Sequence, residues 1–149
     1  VGDDEWAENF LTAFWAAKRA MATASEAAYS RHGVRAGQQF ILHCLWDNDG
    51  LAPGEIARRL GLATPTVTRA ATRMEAAGLL RREPHPTDAR LVRLRLTDRG
   101  RELRTIMGKE MEDLRERALA GLGPGERAEF ARLLDRLQRN LGDPTKMAP

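Results

Sequence analysis

The chain has 149 residues, with hydrophobic residues at 42% and charged ones at 30%, which is enough to bury one domain core and excludes a low-complexity or fibrous chain. The net charge of +3 is uneven: residues 58–104 hold twelve arginines against five acids, a local surplus of +7, while the remainder carries −4. A basic block within a mildly acidic chain points to a polyanion partner, and the lone Cys44 excludes an internal disulfide and any multi-cysteine zinc site.

The acidic opening VGDDEW is unlike the basic start of a signal peptide, and it lacks a methionine, so processing or excision from a longer chain is expected. No apolar run is long enough to span a bilayer, so no membrane partner is expected and the cytoplasm is the expected compartment. The first predicted helix covers about residues 5–30. Phe10, Phe14, Ala17, Met21, Ala24 and Ala28 alternate at four- and three-residue steps, the repeat of a helix-to-helix seam. RHGVRAG breaks it. A second helix is predicted from Gln38 to Asp47, with Phe40, Ile41, Cys44 and Leu45 on its apolar stripe, and DNDG ends it.

A short helix follows from Pro53 to Leu60, turning Ile56, Ala57 and Leu60 inward, and Gly61 terminates it. Thr64 is the expected N-cap of the next helix, Pro65 to Ala77, which Gly78 closes. At about 100° per residue, Val67, Ala70, Ala71, Met74 and Ala77 share the core side of this helix. Pro65, Thr68, Arg69, Thr72 and Arg73 share the opposite side. Arginine can donate two bonds to the edge of guanine, and a threonine methyl can touch that of thymine, so this face suits a major-groove reader. An ordinary solvated helix face is the alternative.

Leu79–Glu83 and Leu91–Leu96 read as two strands joined by HPTDAR. In the second, Val92, Leu94 and Leu96 face one side, and Arg93 and Arg95 the other. Thr97 caps a long helix to about Ala120, with Gly100, Leu103, Met107, Met111, Leu114 and Ala118 on one face. GLGPGE breaks the chain again, and a last helix turns Phe130, Leu133, Leu134, Leu137 and Leu141 inward. Residues 142–149 read as a frayed tail. The expected fold is mainly α with a small β-hairpin: a winged helix–turn–helix, about residues 36–97, between long helices at about 5–30 and 98–141.

No Gly-rich phosphate loop, paired-carboxylate motif or nucleophile elbow is present, so no enzyme and no cofactor are expected. His32, His43 and His85 fall on different elements. His43 and Cys44, adjacent on a helix, point about 100° apart and cannot easily chelate one ion.

The segment GEIARRLGLATPTVTRAATRMEAAGLLRREPHPTDARLVRLRLTDRGREL resembles the winged helix–turn–helix of the MarR-type transcription regulators. The strongest matches are TVTR leading to MEAAGLL, the DAR of the wing, and LTDRG opening the long helix, and the likeness extends over Gln38–Leu103. The resemblance implies a homodimer whose first, fifth and sixth helices form the dimerisation layer. It implies a fourth helix in the major groove of double-stranded DNA and a wing in the neighbouring minor groove. It also implies a ligand-responsive repressor on a pseudo-palindromic operator, with a small aromatic or lipophilic effector in a cleft between the layers. Thr66, Thr68, Arg69, Thr72 and Arg73 correspond to groove or phosphate contacts. Asp88 corresponds to a brace of the wing loop and Arg90 to its inserted side chain; Arg93 and Arg95, on the polar side of the second strand, are expected to flank it near phosphates. Trp15 and His43 are the candidate lining of the cleft. Two departures stand out: His85 replaces the aspartate that often opens the wing, and no cysteine lies near the first helix, where peroxide-sensing members carry one. A winged-helix protein-interaction module and a metal-responsive regulator remain alternative readings.

Overall fold

The computed structural model describes residues 3–142, which form six helices and one two-stranded antiparallel hairpin. In chain order these are α1 (Asp3–Ser30), α2 (Gln38–Asp47), α3 (Pro53–Leu60), α4 (Thr64–Ala76), β1 (Leu80–Pro84), β2 (Val92–Leu96), α5 (Asp98–Ala118) and α6 (Pro124–Leu141). The expected tail lies almost wholly outside the described residues. The chain divides into two compact units, residues 1–114 and 115–149.

The core of the first unit is built where the apolar periodicities converge. Val67, Ala71 and Met74 of α4 meet Ile56 and Ala57 of α3, Ile41, Leu42 and Leu45 of α2, Leu80, Leu94 and Leu96 of the hairpin, and Leu103 and Met107 of α5. Ala28 and Tyr29 join it from the last turn of α1. The hairpin pairs Leu80 with Leu96 and Pro84 with Val92. Its outer edge is extended by one residue, since the Leu94 amide donates to the Leu51 carbonyl at 2.8 Å.

Two close approaches lock α5 to this lobe. Thr97 caps α5, its Oγ1 accepting the Gly100 amide at 3.1 Å. Gly100 then lies so near the turn after α4 that a Cβ there would stand 2.1 Å from the Leu79 carbonyl oxygen. Trp46 Nε1 donates to the Gly100 carbonyl at 2.8 Å.

Several sequence expectations are corrected. Thr64 is the first residue of α4, not its cap; Ala63 is the N-cap, and its carbonyl accepts the Thr66 amide at 3.0 Å. Proline tolerates any place in the first turn, where its missing N–H is not needed, so the helix starts one residue early. Phe40 is exposed and Leu42 is buried in its stead, because α2 turns Ile41, Leu42 and Leu45 to the core. Ala77 is exposed because α4 ends at Ala76. Val92 is exposed because the hairpin has already left the core at that register. The strands begin one residue later than expected, and the first also ends one later.

In the second unit, Arg127 caps the turn between α5 and α6. Its guanidinium donates to the carbonyls of Leu119 and Leu122 and pairs with Glu116 at 3.0 Å. The residues expected to face inward on α6 do not reach a core in the single chain. Phe130 and Leu133 are each 48% exposed, and no residue of α6 is buried.

Candidate nucleic-acid interface

The surface face of α4 is formed by the residues that the core face leaves over. Val67, Ala71 and Met74 have no solvent exposure, which fixes the helix about its axis. Pro65, Thr66, Thr68, Arg69, Thr72 and Arg73 are all exposed. Thr68 Oγ1 donates to the Thr64 carbonyl at 3.1 Å and Thr72 Oγ1 to the Thr68 carbonyl at 3.0 Å. Each hydroxyl hydrogen is thus turned back to the helix, leaving oxygen lone pairs and methyls for an incoming surface. Arg69 and Arg73 have no ion pair or hydrogen bond among the described residues, so both guanidinium forks are free to donate.

The wing loop is held by its own polar groups. The Asp88 carboxylate accepts the Arg90 amide at 3.1 Å and Arg90 Nε at 3.2 Å. The Arg90 side-chain hydrogen bonds, then its backbone N–H, hold the Asp88 carboxyl below the usual carboxylate range. The Arg90 side chain remains 90% exposed. His85 joins this bracing: its Nδ1 lies 3.3 Å from the Thr87 amide, which donates to it, and 3.1 Å from Thr87 Oγ1. The hairpin closes through the His85 amide to the Leu91 carbonyl at 2.9 Å and the Leu91 amide to the Asp88 carbonyl at 3.0 Å.

Arg93 and Arg95 occupy a different setting from Arg90. Both are half-buried. Glu83 pairs with each of them at 3.5 Å, and Arg95 also reaches Asp49 at 3.7 Å. Much of their charge is therefore committed inside the hairpin base. Three further residues went unread in the sequence. Glu83 and Asp49 brace this base, and Glu75 joins α4 to Arg82 of β1. The two-residue spacing of Arg81 and Glu83 on one strand face hints at Glu83, but the partnership of Glu75 with Arg82, seven residues on, has no local signature.

The two cleft residues part company. His43 Nε2 meets the Tyr29 hydroxyl at 2.9 Å, and its ring stands edge-on to Trp46 at 4.9 Å. One cavity of about 310 Å³ lies beside Tyr29, His43, Trp46 and Arg104, and another of about 300 Å³ beside Ser25, Tyr29, Gln39, Phe40 and His43. Gln39 Oε1 is buried there without a hydrogen-bond partner. Burial lowers the His43 pKa and raises that of Tyr29. Trp15 lines neither cavity; it packs on Phe14 at 5.4 Å under Lys18. On a straight helix, its fourteen-residue separation from Tyr29 is roughly 21 Å. Cys44 is half-buried against the core, and burial raises its thiol pKa, which disfavours the reactive thiolate. Among the described residues no three His, Cys, Asp or Glu side chains gather as a metal site, and no helix is long and apolar enough to cross a membrane.

A short helix, a turn and a second helix with an exposed cationic face, followed by a hairpin with a cationic tip, define a winged helix–turn–helix protein. Residues 35–92 match the model of the MarR family. The likeness to that family thus rests on this segment. It is similar to the HTH-type transcriptional regulator TtmR of Methylorubrum extorquens, with 37% identity over 95 residues, 64% of this chain and 49% of that protein. The match thus spans about half the length of TtmR. The fold is similar to that of YusO from Bacillus subtilis, with a TM-score of 0.82 at 24% identity over 93% of this chain and 99% of that one. It is also similar to that of a MarR family transcriptional regulator from Listeria monocytogenes solved with a 26mer DNA, with a TM-score of 0.66 at 21% identity over 89% of this chain and 88% of that one.

Proposed function

We propose that this chain is a sequence-specific transcription regulator, a repressor that binds a pseudo-palindromic operator as a homodimer in the cytoplasm. One observation carries the reading: Arg69 and Arg73 on α4 and Arg90 on the wing are exposed guanidinium groups of one compact unit. α4 reads base edges in the major groove through Arg69, Arg73 and the threonines Thr66, Thr68 and Thr72, with Pro65 at the helix entry. Arg90 enters the adjacent minor groove, where negative potential draws arginine. Arg93 and Arg95 act mainly by stiffening the hairpin base and add a weaker pull on phosphates.

Residues 36–97 form the DNA-binding lobe in this reading. Residues 5–30 and 98–141 supply the dimerisation helices, whose exposed apolar side chains a second copy covers. A small aromatic or lipophilic effector fits the cavities beside His43 and loosens the grip on DNA. No catalytic step enters the reading.

The test is selection from a random pool of duplexes by the intact chain. The expected winners are inverted repeats with half-site centres about one helical turn, ~10 bp, apart. Affinity for them should fall steeply with salt as counterions are released. Failure to enrich any duplex would leave a protein-docking module as the better account.

A further inference from the structure

The three-residue turn Ala77–Leu79 is the only covalent link between the end of α4 and the hairpin. The core face of the hairpin runs Leu80, Leu94 and Leu96, all buried, and then gives out: Arg82 follows Leu80 on the same face, and Val92 beyond it is 40% exposed. At this edge of the core stands Glu75, on the last turn of α4. Its Oε2 accepts the Arg82 amide at 2.8 Å, and its Oε1 accepts Arg82 Nε at 3.1 Å and Nη2 at 3.0 Å.

The bond to the amide follows from the strand register. Arg82 pairs with Leu94, whose own amide points away from β1 to the Leu51 carbonyl. Arg82 and Leu94 are therefore a non-hydrogen-bonded pair, and both N–H groups face outward. Leu51 receives one and Glu75 the other. Beyond this register, the hydrogen bonds among the described residues run within the hairpin. The stance of the tip is thus set where Glu75 holds Arg82. Two guanidinium N–H groups converge on Oε1 while the backbone amide holds Oε2, so the three charge-assisted bonds fix direction as well as distance.

We propose that Glu75 is a positioning residue for DNA recognition: by gripping Arg82 it holds the wing at the angle that places Arg90 in the minor groove while α4 lies in the major groove. This rests on the DNA-binding reading above. Glu75 itself touches no DNA and carries the wrong charge to do so. Its contribution is registration between two contacts on opposite sides of a phosphate strand.

The experiment is a double-mutant cycle on affinity for the duplex that the wild-type chain enriches from a random pool. In the wild-type background, Arg90→Ala should weaken binding about tenfold. In the Glu75→Ala background the same change should cost less than about twofold, because the wing no longer presents Arg90. Glu75→Gln keeps one acceptor oxygen and should give an intermediate cost; it also guards against a folding defect in the alanine variant. Loss of an acidic charge near DNA raises affinity equally in both arms and cancels in the cycle. If Arg90→Ala costs the same factor in all three backgrounds, Glu75 only stabilises the fold and the proposal is overturned. If the wild-type chain enriches no duplex, the DNA reading itself fails and takes the proposal with it.

Discussion

Asp88 and Arg90 hold each other across the wing tip, yet the Arg90 side chain stays 90% exposed. The carboxylate receives the Arg90 backbone amide at 3.1 Å and its guanidinium at 3.2 Å, so the tip is shaped and its cation presented by one residue. Arg90→Ala should cost about 1–3 kcal/mol of DNA binding without changing the melting temperature, because a wing tip buries little. The loss should be larger on duplexes with A·T-rich flanks. Fluorescence anisotropy on paired A·T- and G·C-flanked duplexes checks this; a variant that binds both as tightly as the wild type sinks the wing assignment.

Gly100→Ala should disturb the fold rather than the site. The added Cβ would stand 2.1 Å from the Leu79 carbonyl oxygen and 3.1 Å from the Leu96 side chain, and the first of these is backbone that cannot swing aside. Overpacking of this kind costs about 1–3 kcal/mol and occasionally more. Urea unfolding should show the midpoint falling accordingly. An unchanged midpoint would mean that α5 is free to slide on the turn after α4.

His43 should make stability fall on the acidic side of neutrality. Burial holds its imidazole below the ordinary value of 6.5, so the folded chain binds fewer protons than the unfolded chain between the two values. The neutral ring therefore contributes stability that is fully present above about 6.5 and is lost as pH falls through the lower, folded value. Several carboxylates held below their usual range, Glu110 and Glu75 among them, act in the same direction at lower pH. His43→Gln isolates the imidazole: the variant should lose less stability than wild type between about pH 7.5 and 5.5. A His43 NMR titration midpoint at or above that of a free peptide would contradict the assignment.

The apolar face of α6 should be an interface between copies. Phe130 and Leu133 are each 48% exposed, Leu134 39% and Leu141 76%. Such a contiguous patch is uncommon on a monomer. Phe130→Lys with Leu133→Lys, or removal of Glu126–Pro149, should convert a dimer to monomer or aggregate in sedimentation velocity. A truncated chain that sediments as a well-folded dimer would overturn the dimerisation role.

Much of the fold is local and was legible as such. The bounds of α2 and α3 follow from the breaks and caps around them, and the helix–turn–helix from Gly61, Pro65 and Gly78 at its joints. The exposed face of α4 is also a local property, because the 3.6-residue period that buries Val67, Ala71 and Met74 must turn Arg69 and Arg73 outward. The brace of Asp88 on Arg90 spans two residues, and the family resemblance already implied it. Periodicity marks apolar positions, however, and not what covers them. Phe40, Val92 and Phe130 carry the same signal as Ile41, Leu94 and Leu103, yet only the latter three have other elements packed over them. The partners of charged groups were likewise decided in three dimensions. Arg93 and Arg95 alternate on a strand as free cations would, but the antiparallel register brings Glu83 beside Arg93, and the turn after α2 brings Asp49 beside Arg95. Trp15 and His43 look equally suited to a cleft, but one straight helix carries Trp15 away from the cavities that His43 lines. The residues that join two elements, Glu75 to Arg82 and Gly100 to Leu79, meet only because the core sets their distance, and no spacing along the chain encodes it.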